Sequence, residues 1–253
     1  LADLTDPHGA WCDALDGAYA LVHFSAVNPY PNASWEESAA SMSHTFNVFL
    51  AAKSRGVRRV IFASSNHVMG GYKDLPDHGA VTPACPPRCG TLLHDPVDRA
   101  KSGDAVAYAA AKLAGEQLAR SLAAMSGCAT TFAALRIGWC QPGENHPSTL
   151  NPSGSPPQFQ NQPATEAAQR GGARSSSTRS SDMGEDADTA WFKGMWLSNR
   201  DFTRYFEAAL DVPIAAGELL IVNAMSRNTG MRWSLDDTAR RLNVVAFDDS
   251  RAS

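Results

Sequence analysis

This sequence has no long apolar run, no basic leader, no excess of positive charge and no paired set of cysteines, and each gap narrows what the chain can be. No stretch approaches the roughly 20 apolar residues that cross a bilayer as a helix. The opening LADLTDPHG lacks the basic-then-apolar order of a secretory signal. A formal net charge of −4 gives no electrostatic reason to expect nucleic acid or an anionic membrane as partner. Cys12, Cys85, Cys89, Cys128 and Cys140 are an odd set without framework spacing, which points to a reducing cytoplasm rather than secretion. Cys85 and Cys89 sit near His78 and His94, but in a loop of prolines and glycines without the tight, repeated spacing of a zinc site. No metal is expected.

What remains suits one large α/β domain, or such a domain with a small lobe: 253 residues, 43% hydrophobic and 19% charged. YALVHFSAV, over 19–27, reads as a strand buried on both faces. A helical stretch from Trp35 to Arg55 follows, stopped by Gly56, and VRRVIFASS supplies a second strand. Strand, helix and strand in that order make a βαβ unit with parallel strands. A proline-rich loop from Asp74 to about Gly103 leads into the alanine-rich helical run AYAAAKLAGEQLARSLAAMSG, closed by Gly127. CATTFAALRIGWC is a third strand.

From Gln141 to about Asp188 the composition turns to Pro, Gly, Ser and Gln, with little to bury, and a flexible insertion is expected there. Order returns at Trp191. Ser198 with Asp201 resembles a capping box before DFTRYFEAAL, ELLIVNAMS reads as a strand, and Ser234 with Asp237 opens a last short helix.

The chemistry gathers around one helix. Tyr108 and Lys112, four apart, share a helix face, so the lysine cation can favour the tyrosine phenolate. Such a phenol serves as acid or base near neutral pH. Ser65, Asn66 and His67 leave the second strand at its carboxyl end, where they can hold a substrate oxygen beside that phenol.

With these residues in order, the segments ADLTD, ALVHFSAV, RRVIFASSNHVMGGY, YAAAKLAGEQLAR, LRIG and WLSNRDFTRYFEAAL resemble extended short-chain dehydrogenases/reductases of the NAD-dependent epimerase/dehydratase group. Within that group they are most similar to uronate dehydrogenases. The resemblance implies a doubly wound, mostly parallel Rossmann-type α/β sheet. Residues 1–140 would hold the NAD(P)-binding part, 141–190 a low-complexity insertion and 191–253 a small C-terminal substrate lobe. It implies NAD as cofactor, with NADP open, and a sugar-like small-molecule substrate. It also implies a homodimer through the Tyr108 helix and its neighbour.

Carried over by position, Tyr108 would be the catalytic acid/base, and Lys112 would bind the nicotinamide ribose and lower the tyrosine pKa. Ser65 would bond the reacting oxygen. Asn66, His67 and Asn28 would meet substrate. Asp3 and Leu4 would lie beside the adenine, Phe24, Ser25 and Ala26 under the phosphates and ribose, and Ile137 and Gly138 on the nicotinamide side. The sequence departs from the family in three places. The Gly-rich phosphate turn is expected before residue 1, together with the first strand, its helix and the second strand. Ser41 stands where the family has an Asn on the helix. The region where the family has an Arg that grips a sugar carboxylate is the low-complexity insertion here, and Lys193 is the nearest replacement once order resumes. The implied reaction is NAD(P)-dependent hydride transfer at a sugar or sugar-acid alcohol or lactol. A nucleotide-sugar epimerase or dehydratase and a non-catalytic dinucleotide-binding scaffold remain alternatives.

Overall fold

The structure, a computed structural model, describes residues 3–27, 33–125, 127–150 and 185–252. Four strands, β1 (Ala20–His23), β2 (Arg59–Ser65), β3 (Thr131–Ile137) and β4 (Leu219–Ala224), form one sheet in the order β1-β2-β3-β4. All three pairings are parallel. The intervening helices are α1 (Trp35–Ser54), α2 (Pro96–Ser102), α3 (Val106–Ala123), α4 (Ala187–Gly194) and α5 (Asn199–Asp211), and α6 (Asp236–Leu242) follows β4. Among the described residues no helix is long and apolar enough to cross a membrane.

Strand periodicity explains the layering. Successive side chains on β2 point to opposite faces, so Val60 and Phe62 join a core with Val48 and Phe49 of α1 and Leu122 of α3. Ile61 and Ala63 join the opposite core with Tyr205 and Phe206 of α5 and Leu242 of α6. Every residue of β2 is buried, which accounts for its unbroken apolar run. Full burial of a side chain such as Phe62 contributes roughly 1.5–3 kcal/mol. A third cluster, with Met69, Tyr72, Trp139, Trp191, Phe192 and Trp233, lies beyond the carboxyl ends of the strands.

Local signals set the helix ends. Ser34 Oγ accepts from the Glu37 N–H at 3.1 Å while Glu37 accepts from the Ser34 N–H at 2.9 Å, a reciprocal cap for α1. Gly115 lets α3 lie close to α1 and β2, since a Cβ there would come within 2.7 Å of the Phe62 ring.

Three local expectations change. Ser198 caps α5, but Asp201 does not answer it; its carboxylate accepts from Ser226 Oγ and from the Phe247 and Asp248 N–H groups. The loop after Asp74 contains α2, capped by Asp95. The 191–253 stretch also divides: α5, β4 and α6 complete the sheet and one of its cores, while Trp191, Phe192 and Trp233 build the third cluster. Apolar alternation on β4 explains this, because Leu220 and Val222 are fully buried against β3 and the helices.

Candidate active site

The parallel sheet delivers the ends of β2 and β3 to one edge, and the start of α3 rises beside them. Ser65 is the last residue of β2; its Oγ accepts from the His67 N–H at 3.1 Å, and it lines the same cleft as the Tyr108 phenol. Asn66 donates to the Ile137 carbonyl at 3.1 Å, but its Oδ1 is buried with no partner. The His67 ring meets Thr91 Oγ1 at 2.8 Å and stands edge-on to the Tyr108 ring, 6.0 Å between centroids. Lys112 is buried one helical turn beyond Tyr108, and its ammonium donates to the Ala63 carbonyl at 2.7 Å.

Ser65, Asn66, His67 and Tyr108 face a cleft of about 250 Å³ that Phe24, Ala26, Ile137, Gly138, Trp139 and Cys140 complete. A smaller cavity adjoins it, sharing Ala26 and Tyr108 and adding Ser38, Ser41, Thr45 and Lys112. Ser38 Oγ is likewise buried and unpartnered. This cavity, of about 10 Å³, has room for about one water, so any ribose that the family resemblance implies would lie at its mouth rather than in it. Ser41 accepts from the Val27 N–H at 3.0 Å, pinning the loop after β1 to α1.

The electrostatics differ from the simple expectation. Burial pushes the Tyr108 phenol up to about 12, only partly opposed by the Ser65 hydroxyl. Burial also pulls Lys112 down to about 7. The ammonium lies 5.7 Å from the Tyr108 ring centroid and 4.9 Å from that of Phe62. Desolvation therefore outweighs lysine assistance in the chain by itself. His67 is pulled down to about 4 by burial and is neutral at pH 7.

Not every expected residue arrives. Asp3 is exposed, its carboxyl bonded to Thr5 and held below its usual pKa by that bond. The Leu4 carbonyl accepts from Asn47 of α1, and neither residue lines the catalytic cleft. Ser25 is exposed beside Phe24 and Ala26. Lys193 is not among the cleft residues, and its ammonium pairs with Glu185 at 2.7 Å. Asn28 lies outside the described residues, as does most of the 141–190 insertion. Gly138 has a packing reason of its own, since a Cβ there would sit 2.0 Å from the Met195 carbonyl oxygen. Sequence reading missed the bidentate pair behind the site, Arg136 to Glu116 at 2.8 and 2.9 Å, to which Ser64 also donates at 2.6 Å. Its signal was available: Glu116 follows Lys112 by one helical turn on the buried face of α3.

The sequence profile of the NAD dependent epimerase/dehydratase family matches residues 1–137. The chain belongs to this family. One family relative, a uronate dehydrogenase of Pseudomonas syringae pv. tomato, is 40% identical over 75 residues, covering 28% of this chain and 26% of the relative. An L-arabinose 1-dehydrogenase (NAD(P)(+)) of Haloferax volcanii is 24% identical over 251 residues, covering 95% of this chain and 79% of the relative. The fold matches that of a glucuronic acid dehydrogenase from Chromohalobacter salexigens with a TM-score of 0.64 at 22% identity, over 99% of this chain and 68% of that one. A uronate dehydrogenase structure aligns with a TM-score of 0.62 at 23% identity, over 98% of this chain and 66% of its own length.

Proposed function

We propose that this family member is an NAD(P)-dependent dehydrogenase acting on a secondary alcohol or lactol of a sugar. The observation that carries the reading is the meeting of Ser65 and Tyr108 at one cleft whose Asn66 acceptor is unspent, with Lys112 one helical turn behind Tyr108. When bound, the dinucleotide supplies the hydride acceptor. Tyr108, in its phenolate form, takes the hydroxyl proton as the substrate carbon gives up hydride, leaving a carbonyl. Ser65 donates to the oxygen as charge develops on it. Lys112 positions the ribose beside the phenol, and Asn66 and His67 orient the sugar hydroxyls.

The described walls of the cleft carry no lysine or arginine, which favours an uncharged sugar over a sugar acid. The match to an arabinose dehydrogenase along almost the whole chain supports the same choice. At about 250 Å³ the cleft suits a monosaccharide better than a nucleotide sugar. A cytoplasmic setting belongs to this reading, supported by five free thiols. So does a homodimer through α3 and α1, supported by the exposed Trp35, Phe46 and Leu50 on α1.

The test is dinucleotide reduction with a panel of aldoses and their uronates. The expected result is turnover on an aldose, with the matching uronate at least about tenfold poorer in kcat/KM. Preference for the uronate would overturn the uncharged-sugar reading. Absence of turnover with every sugar and both dinucleotides would overturn the dehydrogenase itself.

A further inference from the structure

Two consecutive residues of β2 are tied to α3 just before Ser65. The Ala63 carbonyl accepts from Lys112, and Ser64 Oγ donates to the Glu116 carboxylate at 2.6 Å. Glu116 in turn holds Arg136 of β3, which stands opposite Ser64 in the sheet register, as Ile137 stands opposite Ser65. The remaining arm of the Arg136 guanidinium reaches Met69 Sδ at 3.2 Å and the Pro83 carbonyl at 3.4 Å. Met69 belongs to the 3₁₀ helix Asn66–Asp74, whose first residues are the cleft residues Asn66 and His67. One network thus meets β2, α3, β3 and the 3₁₀ helix, the four elements that deliver Ser65, Tyr108, Ile137 and His67.

Stability alone does not account for this network. Ser64, Glu116 and Arg136 are at most 2% exposed. An ion pair sealed so deeply costs enough desolvation that apolar residues of similar volume are often as stable or more so. What apolar packing lacks is direction, whereas a bidentate pair and a short charge-assisted bond fix distance and angle together. Nor does the network act through its field. Burial, rather than either charge of the pair, dominates at Tyr108 and Lys112. None of Ser64, Glu116 and Arg136 is among the described walls of the cleft.

We propose that Ser64, Glu116 and Arg136 are positioning residues, which set the rotation and height of α3 against β2 so that the Tyr108 phenol and the Ser65 hydroxyl converge on one substrate oxygen. Tyr108 lies two helical turns before Glu116, so a slide or turn of α3 at Glu116 is carried to the phenol. A misplacement of about 1 Å is enough to cost on the order of 10²-fold in rate. The effect on turnover rests on the dehydrogenase reading; the alignment itself does not.

The experiment separates alignment from stability. In the full chain, Glu116→Leu with Arg136→Met is expected to regain the denaturant stability that Glu116→Gln loses. Its kcat should nevertheless stay at least about tenfold below that of the unmodified chain, with KM for sugar and dinucleotide within about threefold. Recovery of kcat together with stability would overturn the proposal. Ser64→Ala leaves the ion pair in place and should lower kcat in the same way; an unchanged kcat there would also overturn it. Should the double variant fail to fold, Ser64→Ala decides. A readout free of turnover accompanies these, ¹⁹F NMR of the chain labelled with 3-fluorotyrosine, with Tyr108→Phe assigning one of the five tyrosine signals. In Ser64→Ala the Tyr108 signal is expected to move, while that of the exposed Tyr19, which precedes β1, stays in place. An unmoved Tyr108 signal would overturn the alignment. If the unmodified chain turns over no sugar, the dehydrogenase reading fails and the Tyr108 signal alone decides the positioning.

Discussion

Lys112 donates its buried ammonium to the carbonyl of Ala63 at 2.7 Å, tying α3 to the strand that ends in Ser65. The bond that aligns the site also confines a cation in a dry place. Its pKa of about 7 in the fold lies below the ordinary lysine value.

The first prediction follows from that depression. Between pH 7 and about 10.5 the unfolded chain binds a proton at this lysine that the fold does not. Stability then rises with pH across the window, by up to about 1.4 kcal/mol per unit from this group. Lys112→Met should flatten that rise. Denaturant unfolding at pH 7 and pH 9, for both proteins, is the check, and equal slopes would refute it.

Acid should act through two histidines. His23 and His67 are buried and neutral, held down to about 3 and about 4 by burial. The unfolded chain protonates both near pH 6.5, so their contribution is intact above that value and is lost as pH falls toward 4. The expected loss approaches 2.7 kcal/mol per unit while both titrate, about 1.36 from each. Unfolding free energies at pH 7, 6 and 5 measure it directly. A flat profile would mean that the rings are solvated.

Glu116 and Arg136 form a bidentate pair that is essentially fully buried. Glu116→Gln leaves an uncompensated guanidinium in the core and should cost about 3–5 kcal/mol. Glu116→Leu with Arg136→Met should recover most of that loss, because two desolvated charges are removed together. Chemical denaturation of the single and double variants separates the outcomes. A double variant no better than the single would show that the pair is needed for packing as well as charge.

How much of this was legible in the sequence follows from the range of the forces involved. Short apolar runs marked β2 and β3, and the stop signal at Gly56 marked the end of α1, because these are local effects. The Tyr108 and Lys112 spacing placed both on one helix face, and Ser65 reached them because parallel strands end at a common edge. Non-local partners were hidden. Asp201 was diverted from a capping box by Ser226 and the Phe247 backbone. The tyrosine pKa depends on burial that no i,i+4 count reports, so the raised phenol appeared only with the fold.

The most direct measurement is kcat/KM for Tyr108→Phe beside its dinucleotide affinity. The substitution removes one oxygen and keeps the ring whose edge contact with His67 packs the cleft. Turnover should fall by roughly 10²–10⁴-fold, the usual share of acid/base catalysis, while dinucleotide binding stays within a few-fold. A variant that keeps more than about a tenth of the activity would contradict the assignment of Tyr108 as the proton acceptor.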